Sequence, residues 1–208
     1  MKVCDVIDLA IGSELKNLNV KDDRRVVLGY YNLGVLEIHK RFTLNQQKAT
    51  VNMVAGVNKY SFKESDLNVE IDLSDNVYLK IDELRDKEDN LLALNNEVNG
   101  KGIQTLSFDT IDIPDEVLDP GFSLNVLYRA SPKFAVHEEA EVSLPQQFLE
   151  ALLHYMAYKG HGIIVGNDQQ DNNTYFRRFL GSCKQISKNG LFNQNELESS
   201  KFVDRGFP

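Results

Sequence analysis

The spacing of apolar residues changes period twice along this 208-residue chain, and that change restricts the folds open to it. From Val3 to Phe42 the apolar positions recur every three to four residues, the period of one helix face. From Thr43 they alternate with polar residues, as on a strand that buries one side. From Ser143 to Gly190 the helical period returns. A chain patterned in this way is neither all-helical nor all-strand. The expected class is α+β, a helical bundle formed by the N- and C-terminal helices with an inserted antiparallel β-sandwich or partial barrel. The expected segments are N-terminal helices over 1–42, a β domain over 43–143, C-terminal helices over 144–190 and an extended arm over 191–208.

The local signals give each segment its detail. Val3, Val6, Ile7 and Ala10 mark a first helix that stops near Gly12 or Asn17. Asp22 or Asp23 caps a second helix running to about Phe42, with Val26, Val27, Tyr30, Leu33 and Leu36 as its expected apolar face. In the middle, ATVNMVAG and NKYSF read as two strands joined through Ala55-Gly56, and expected to pair. The stretch NVYLKIDELRDKEDNLLALNN reads as a hairpin turning at Lys87-Glu88-Asp89-Asn90, with Val77, Leu79 and Ile81 on one side. GIQTLSFDTIDI and FSLNVLYRASP supply further strands.

The return to helix begins in SLPQQFLEALLHYMAYKGHG, residues 143–162. Ser143 and Gln146 have the spacing of a capping box, and Pro145 suits a first turn. From Phe148 to Ala157 the helix is apolar around most of its circumference, so it must be buried on more than one side. Gly160 and Gly162 are expected to end it. After a polar loop, NDQQDNN, a last helix carries Tyr175, Phe176, Phe179, Leu180, Cys183 and Ile186 and closes at Gly190.

Composition narrows the function. No apolar run reaches the ~18 residues of a membrane span, and no leader is visible, which implies a cytosol-like compartment. Cys4 and Cys183 lie far apart without C-x-x-C spacing, so a disulfide framework is not expected. The net charge of −8 is concentrated: residues 43–143 hold 9 Lys/Arg against 19 Asp/Glu, while each flank carries 7 against 6. Such acidity opposes tight nucleic-acid binding, though DNA could slide past it without adhering.

The candidate reactive groups read as structural ones. His154 and His161 stand seven residues apart, not the four of a helical zinc site, and no glutamate base lies between them. A partly buried His154 and a solvent-facing His161 are expected instead. Asp109, Asp112, Asp115, Glu116 and Asp119 lack the central glycine of a calcium loop and read as a solvated acidic loop. No phosphate-binding loop or nucleophile turn occurs. The chain is therefore read as a non-enzyme without a cofactor. Arg24-Arg25 and Arg177-Arg178 are candidates for charge contacts between subunits or with a partner. The tail LFNQNELESSKFVDRGFP places Phe192, Leu197, Phe202, Val203 and Phe207 as candidate anchors of a docking arm.

Four stretches carry a resemblance. NLGVLEIHKRFTLNQQKATVNMVAGVNKYSF, then LNVLYRASP, then SLPQQFLEALLHYMAYKG followed by NTYFRRFLGSCKQI, together resemble head-to-tail adaptor proteins of short-tailed phages over most of residues 25–190. The resemblance rests on the order and pattern of elements. It implies a structural virion protein of the neck, assembled in the host cytoplasm, that forms a ring of about twelve copies under the portal. Its implied partners are itself, the portal protein, the tail nozzle, tube or fibre proteins, and DNA passing through the channel without specific binding. The competing reading is a β-type attachment or glycan-binding module of a tail or fibre complex.

Overall fold

The computed structural model describes residues 1–62, 68–70, 78–95, 102–107, 109–115, 121–164 and 169–190. Among them are four α-helices and two antiparallel sheets, an α+β fold. The chain divides into two compact units, one made of Met1–Phe42 with the chain from Phe134 onward, the other of Thr43–Lys133. Residues 134–143 therefore belong with the helices and not with the expected β domain. This moves Glu138, Glu139 and Glu141 out of the β unit, which is left with 9 Lys/Arg against 16 Asp/Glu.

In the helical unit, α1 (Val3–Gly12) buries the four expected residues, Val3, Val6, Ile7 and Ala10. Its first backbone N–H groups, which no helical turn can satisfy, donate to the carbonyls of Ala140 and Glu138 at 2.9 and 2.8 Å. The segment 134–142 thus works as a strap. Farther along it, the Asn32 side chain bonds both the N–H and the carbonyl of Ala135 at 2.9 Å.

Asp23 caps α2 (Arg24–Arg41) by accepting from the Val26 N–H at 3.2 Å. The buried face of α2 is Val27, Tyr30, Tyr31, Gly34, Val35, Ile38 and His39. Leu33 is instead 45% exposed, which corrects the expected face. Periodicity could not choose between the faces, because α2 has more apolar positions than one face holds. Gly34 decides: a Cβ there would stand 2.6 Å from Leu152 Cδ1, so α2 approaches α3 along the glycine side.

A 3-10 turn (Gln146–Phe148) leads into α3 (Leu149–Ile164). The expected capping box does not form. Pro145 stands extended at the start of the turn without a side-chain cap, and Ser143 hydrogen-bonds Tyr31. Nor do the glycines end α3. Gly160 sits inside the helix because a Cβ there would collide with Leu15, so it is a packing residue. Residues 151–161 are all buried or half-buried, as expected for a helix apolar on most sides, and α3 touches α1, α2 and α4 (Gln169–Lys188). The last helix starts inside the stretch expected to be a polar loop and closes at Gly190, whose φ of +63° is the left-handed conformation glycine tolerates.

The β unit holds a five-stranded sheet in the order β3 (Val69–Glu70), β1 (Gln46–Asn52), β8 (Ser123–Ala130), β4 (Tyr78–Arg85), β5 (Leu91–Leu92). A second sheet runs β2 (Lys59–Ser61), β7 (Thr110–Asp112), β6 (Gln104–Ser107). The expected β1–β2 pair does not exist: β1 pairs with β3 and β8, and β2 with β7. GIQTLSFDTIDI, expected as a single strand, folds into β6 and β7. On β8 the alternation is regular, with Leu124, Val126, Tyr128 and Ala130 inward. On β4 two register shifts against β8 break it, so Tyr78, Ile81 and Leu84 are buried and Leu79 is only half-buried. The hairpin turn at 86–90 is as expected, with Asp89 at φ 68°. Both sheets contribute to one core that includes Val51, Tyr60, Phe62, Ile111, Val126 and Tyr128.

Candidate functional site

The two histidines of α3 are held by structural partners. His154 Nδ1 lies 3.2 Å from the Ser182 hydroxyl on α4. His161, expected to face solvent, is half-buried; its ring stacks on Tyr175 at 4.5 Å and its Nε2–H donates to the Glu14 carbonyl at 3.1 Å. Among the described residues no group of His, Cys, Asp and Glu could hold a metal ion. Between α2 and α4, Arg41 pairs with Glu37 at 2.9 Å and lies over the Phe179 ring at 5.3 Å. Burial pushes the nearby Cys183 thiol up to about 11, with Arg41 opposing, so at neutral pH it is a protonated packing group and a poor nucleophile.

The acidic loop is less solvated than its composition implies. Asp109 is buried and accepts from the Ser107 hydroxyl at 2.6 Å and from the Thr110 hydroxyl at 3.2 Å. Asp115 is exposed and accepts from the Asn58 amide at 2.8 Å. Glu116 and Asp119 lie outside the described residues.

The four candidate arginines fall into different environments. Arg24 is engaged within the chain, bonding Asp8 at 2.7 Å and Glu138 of the strap at 2.6 Å. Arg25 is exposed at the start of α2. Arg177 and Arg178 are exposed on α4, and Arg178 reaches over the Tyr175 ring at 5.5 Å. The arm residues Phe192, Leu197, Phe202, Val203 and Phe207 lie outside the described residues.

Around Arg177 the structure assembles a surface that the arginine pair alone did not reveal. Arg177, Gly181, Lys184 and Lys188 follow one another at helical spacing, and all are exposed. Arg178 flanks this stripe on one side. Leu180, 37% exposed, adds an apolar patch beside it. A Cβ at Gly181 would meet nothing within 4 Å, so the middle of the stripe is open. Among the described residues no carboxylate pairs with any of the four cations. The sequence does hold the signal: Asn172–Gly190 contains four cations and no acid.

The opposite face of α4 is closed by aromatic contacts. Phe176 packs on Tyr158 and Phe179 at 5.0 and 5.8 Å, and Tyr155 on Phe179 at 5.2 Å. These rings are committed to one another. Elsewhere in the helical unit the strap leaves Val136 89% and Phe134 51% exposed, two apolar residues that periodicity did not single out.

In the β unit a cavity of about 360 Å³ is lined by Met53, Leu92, Phe122 and Leu124 beneath Asp86, Lys87 and Glu88. Lys87 lies 3.6 Å over the Phe122 ring. Hydrogen bonds from the Asn90 side chain and backbone, and from the Glu88 N–H, hold the Asp86 carboxyl below its usual range. The rim is therefore anionic at neutral pH. No described helix is long and apolar enough to cross a membrane. No protein-family model matches the chain, and no curated protein matches it.

Proposed function

We propose that the chain is a structural virion protein, a head-to-tail adaptor that forms an oligomeric ring under the portal of a short-tailed phage, extends the DNA channel and attaches the tail. In this reading the four helices act as a bundle, the two sheets as a sandwich, and the segment 191–208 as an arm anchored on the portal through Phe192, Phe202 and Phe207. The observation that carries the proposal is the order of elements. The stretches that resemble the adaptor family fall on α2–β1–β2, on β8, and on α3–α4, with an acidic β unit inserted between helices from both ends of the chain. A helix buried or half-buried from 151 to 161, as α3 is, supports the reading as a rigid post for side-by-side packing, and acidic protein along a channel would let DNA pass without adhering.

Cryo-EM of the purified chain with and without portal tests the proposal. Portal-dependent rings are expected; a chain that stays monomeric and has no portal affinity overturns it. Deleting Leu191–Pro208 is expected to keep the fold and weaken portal docking, and unchanged occupancy would remove the arm's assigned role.

One observation favours attachment to a glycan instead. The β-unit cavity sets the carboxylates of Asp86 and Glu88 beside the apolar side chains of Met53, Leu92 and Phe122, whose ring carries Lys87, a mixed polar and apolar lining of the kind a sugar takes. A glycan array separates the two readings, since binding there would move the function to the β unit.

A further inference from the structure

We propose that the cationic stripe of α4 (Arg177, Lys184 and Lys188, with Arg178 beside it) docks on the acidic β unit of a neighbouring copy and is the head-to-tail contact of the assembly. The inference rests on the ring-forming reading and names the surfaces it would use. A ring requires a heterologous contact, in which two different patches of one chain meet on successive copies. The α4 stripe offers a cationic patch, and the β unit carries the opposite net charge. Residues 172–190 carry four cations and no acid, and the β unit carries 9 Lys/Arg against 16 Asp/Glu.

The described groups of both signs include exposed ones within their own units. The four cations are exposed and, among the described residues, unpaired with any carboxylate. Arg24 in the same unit shows the contrast, since its guanidinium is engaged by Asp8 and Glu138. On the β side, Glu88 and Asp115 are exposed. Lys87, the cation beside Glu88, is folded onto Phe122.

The form of the stripe favours protein over nucleic acid. Gly181 makes its centre flat, and Leu180 gives it an apolar margin, features of a packed interface. Of the aromatic rings of this helix, Phe176 and Phe179 pack on each other and Phe176 on Tyr158, while Tyr175 is stacked on His161. A chain of net charge −8 also repels phosphate at distance, whereas the same charge distribution steers one copy's basic face toward another's acidic one.

The test mixes isotope-labelled and unlabelled full-length chain in equal amounts, joins lysines to carboxylates with a carbodiimide at low ionic strength, and reads mixed-isotope links by mass spectrometry. Links from Lys184 or Lys188 of one copy to carboxylates within 43–133 of the other are expected. The double variant Arg177→Glu/Arg178→Glu keeps both reporter lysines and should reduce these links about tenfold or more, with helical circular dichroism unchanged. Links confined to one copy, links to other regions, or links indifferent to the charge reversal overturn the inference. A short DNA duplex whose binding is lost in the double variant, while the chain stays monomeric, assigns the stripe to phosphates and also overturns it. Portal-bound rings without these links would sink this contact and leave the adaptor reading standing. Mixed-isotope links without any portal binding would do the reverse.

Discussion

Gly34 and Gly29 lie on the same exposed-to-buried helix, and replacing each by alanine should change stability in opposite directions. Both substitutions add a methyl group to the interior of α2, and each gains about 1 kcal/mol from helix propensity. Their surroundings differ. At Gly29 a Cβ meets nothing within 4 Å, so the gain stands and stability should rise by about 0.5–1 kcal/mol. At Gly34 the methyl would stand 2.6 Å from Leu152 Cδ1, 3.3 Å from Tyr155 Cδ1 and 3.7 Å from Tyr155 Cβ. Leu152 is fully buried and cannot step aside without displacing its neighbours. Overpacking of this kind costs about 1–3 kcal/mol, so after the propensity gain Gly34→Ala should lose roughly 1 kcal/mol. The two variants are then separated by about 2 kcal/mol, a difference from which helix propensity largely cancels. Urea denaturation followed by helical circular dichroism should place their midpoints about 1 M apart. Adding Leu152→Val, which removes Cδ1, should give a favourable coupling with Gly34→Ala in a double-mutant cycle. If both single alanine variants raise the midpoint equally, the close approach of α2 to α3 is wrong.

Three further outcomes test other parts of the structure. Asp23→Ala removes the acceptor for the Val26 N–H and should cost about 1 kcal/mol in the same urea assay. Asp82→Ala removes a carboxylate that pairs with Arg129, the two side chains being only 13% and 11% exposed, and should cost about 2 kcal/mol; an effect within the range of a surface pair would mean water reaches it freely. The Cys183 thiol has a folded pKa raised above its unfolded value, so as pH climbs from about 9 to about 11 the unfolded chain releases its proton first. Stability should fall across that window, and a Cys183→Ser variant should lose that part of the slope.

Much of the local structure was legible in the sequence, and the failures have identifiable causes. The α1 face, the Asp23 cap and the β8 alternation were readable because each depends on residues within a turn or two of one another. Gly160 was misread as a helix end because glycine has two uses, and only the Leu15 side chain approaching from another element distinguishes packing from termination. Gly56 marked a real turn, at φ +76°, yet could not say which strands would pair across it. In the candidate surface, the arginine pair on α4 was visible, while its union with Lys184 and Lys188 required the helix phase. That phase showed which of the cations share an exposed stripe.

By itself the sequence determined the class of the fold and the order of its elements. The period of apolar residues and the capping chemistry act over a few residues, and neighbouring positions carry all the information they need. Tertiary structure decided which face of α2 is buried, which sheet each strand joins, and that Arg24 is engaged by carboxylates while, among the described residues, the α4 cations are not. Each of these depends on contacts between residues far apart in the chain, where the available space and the nearest opposite charge are set by the packed whole.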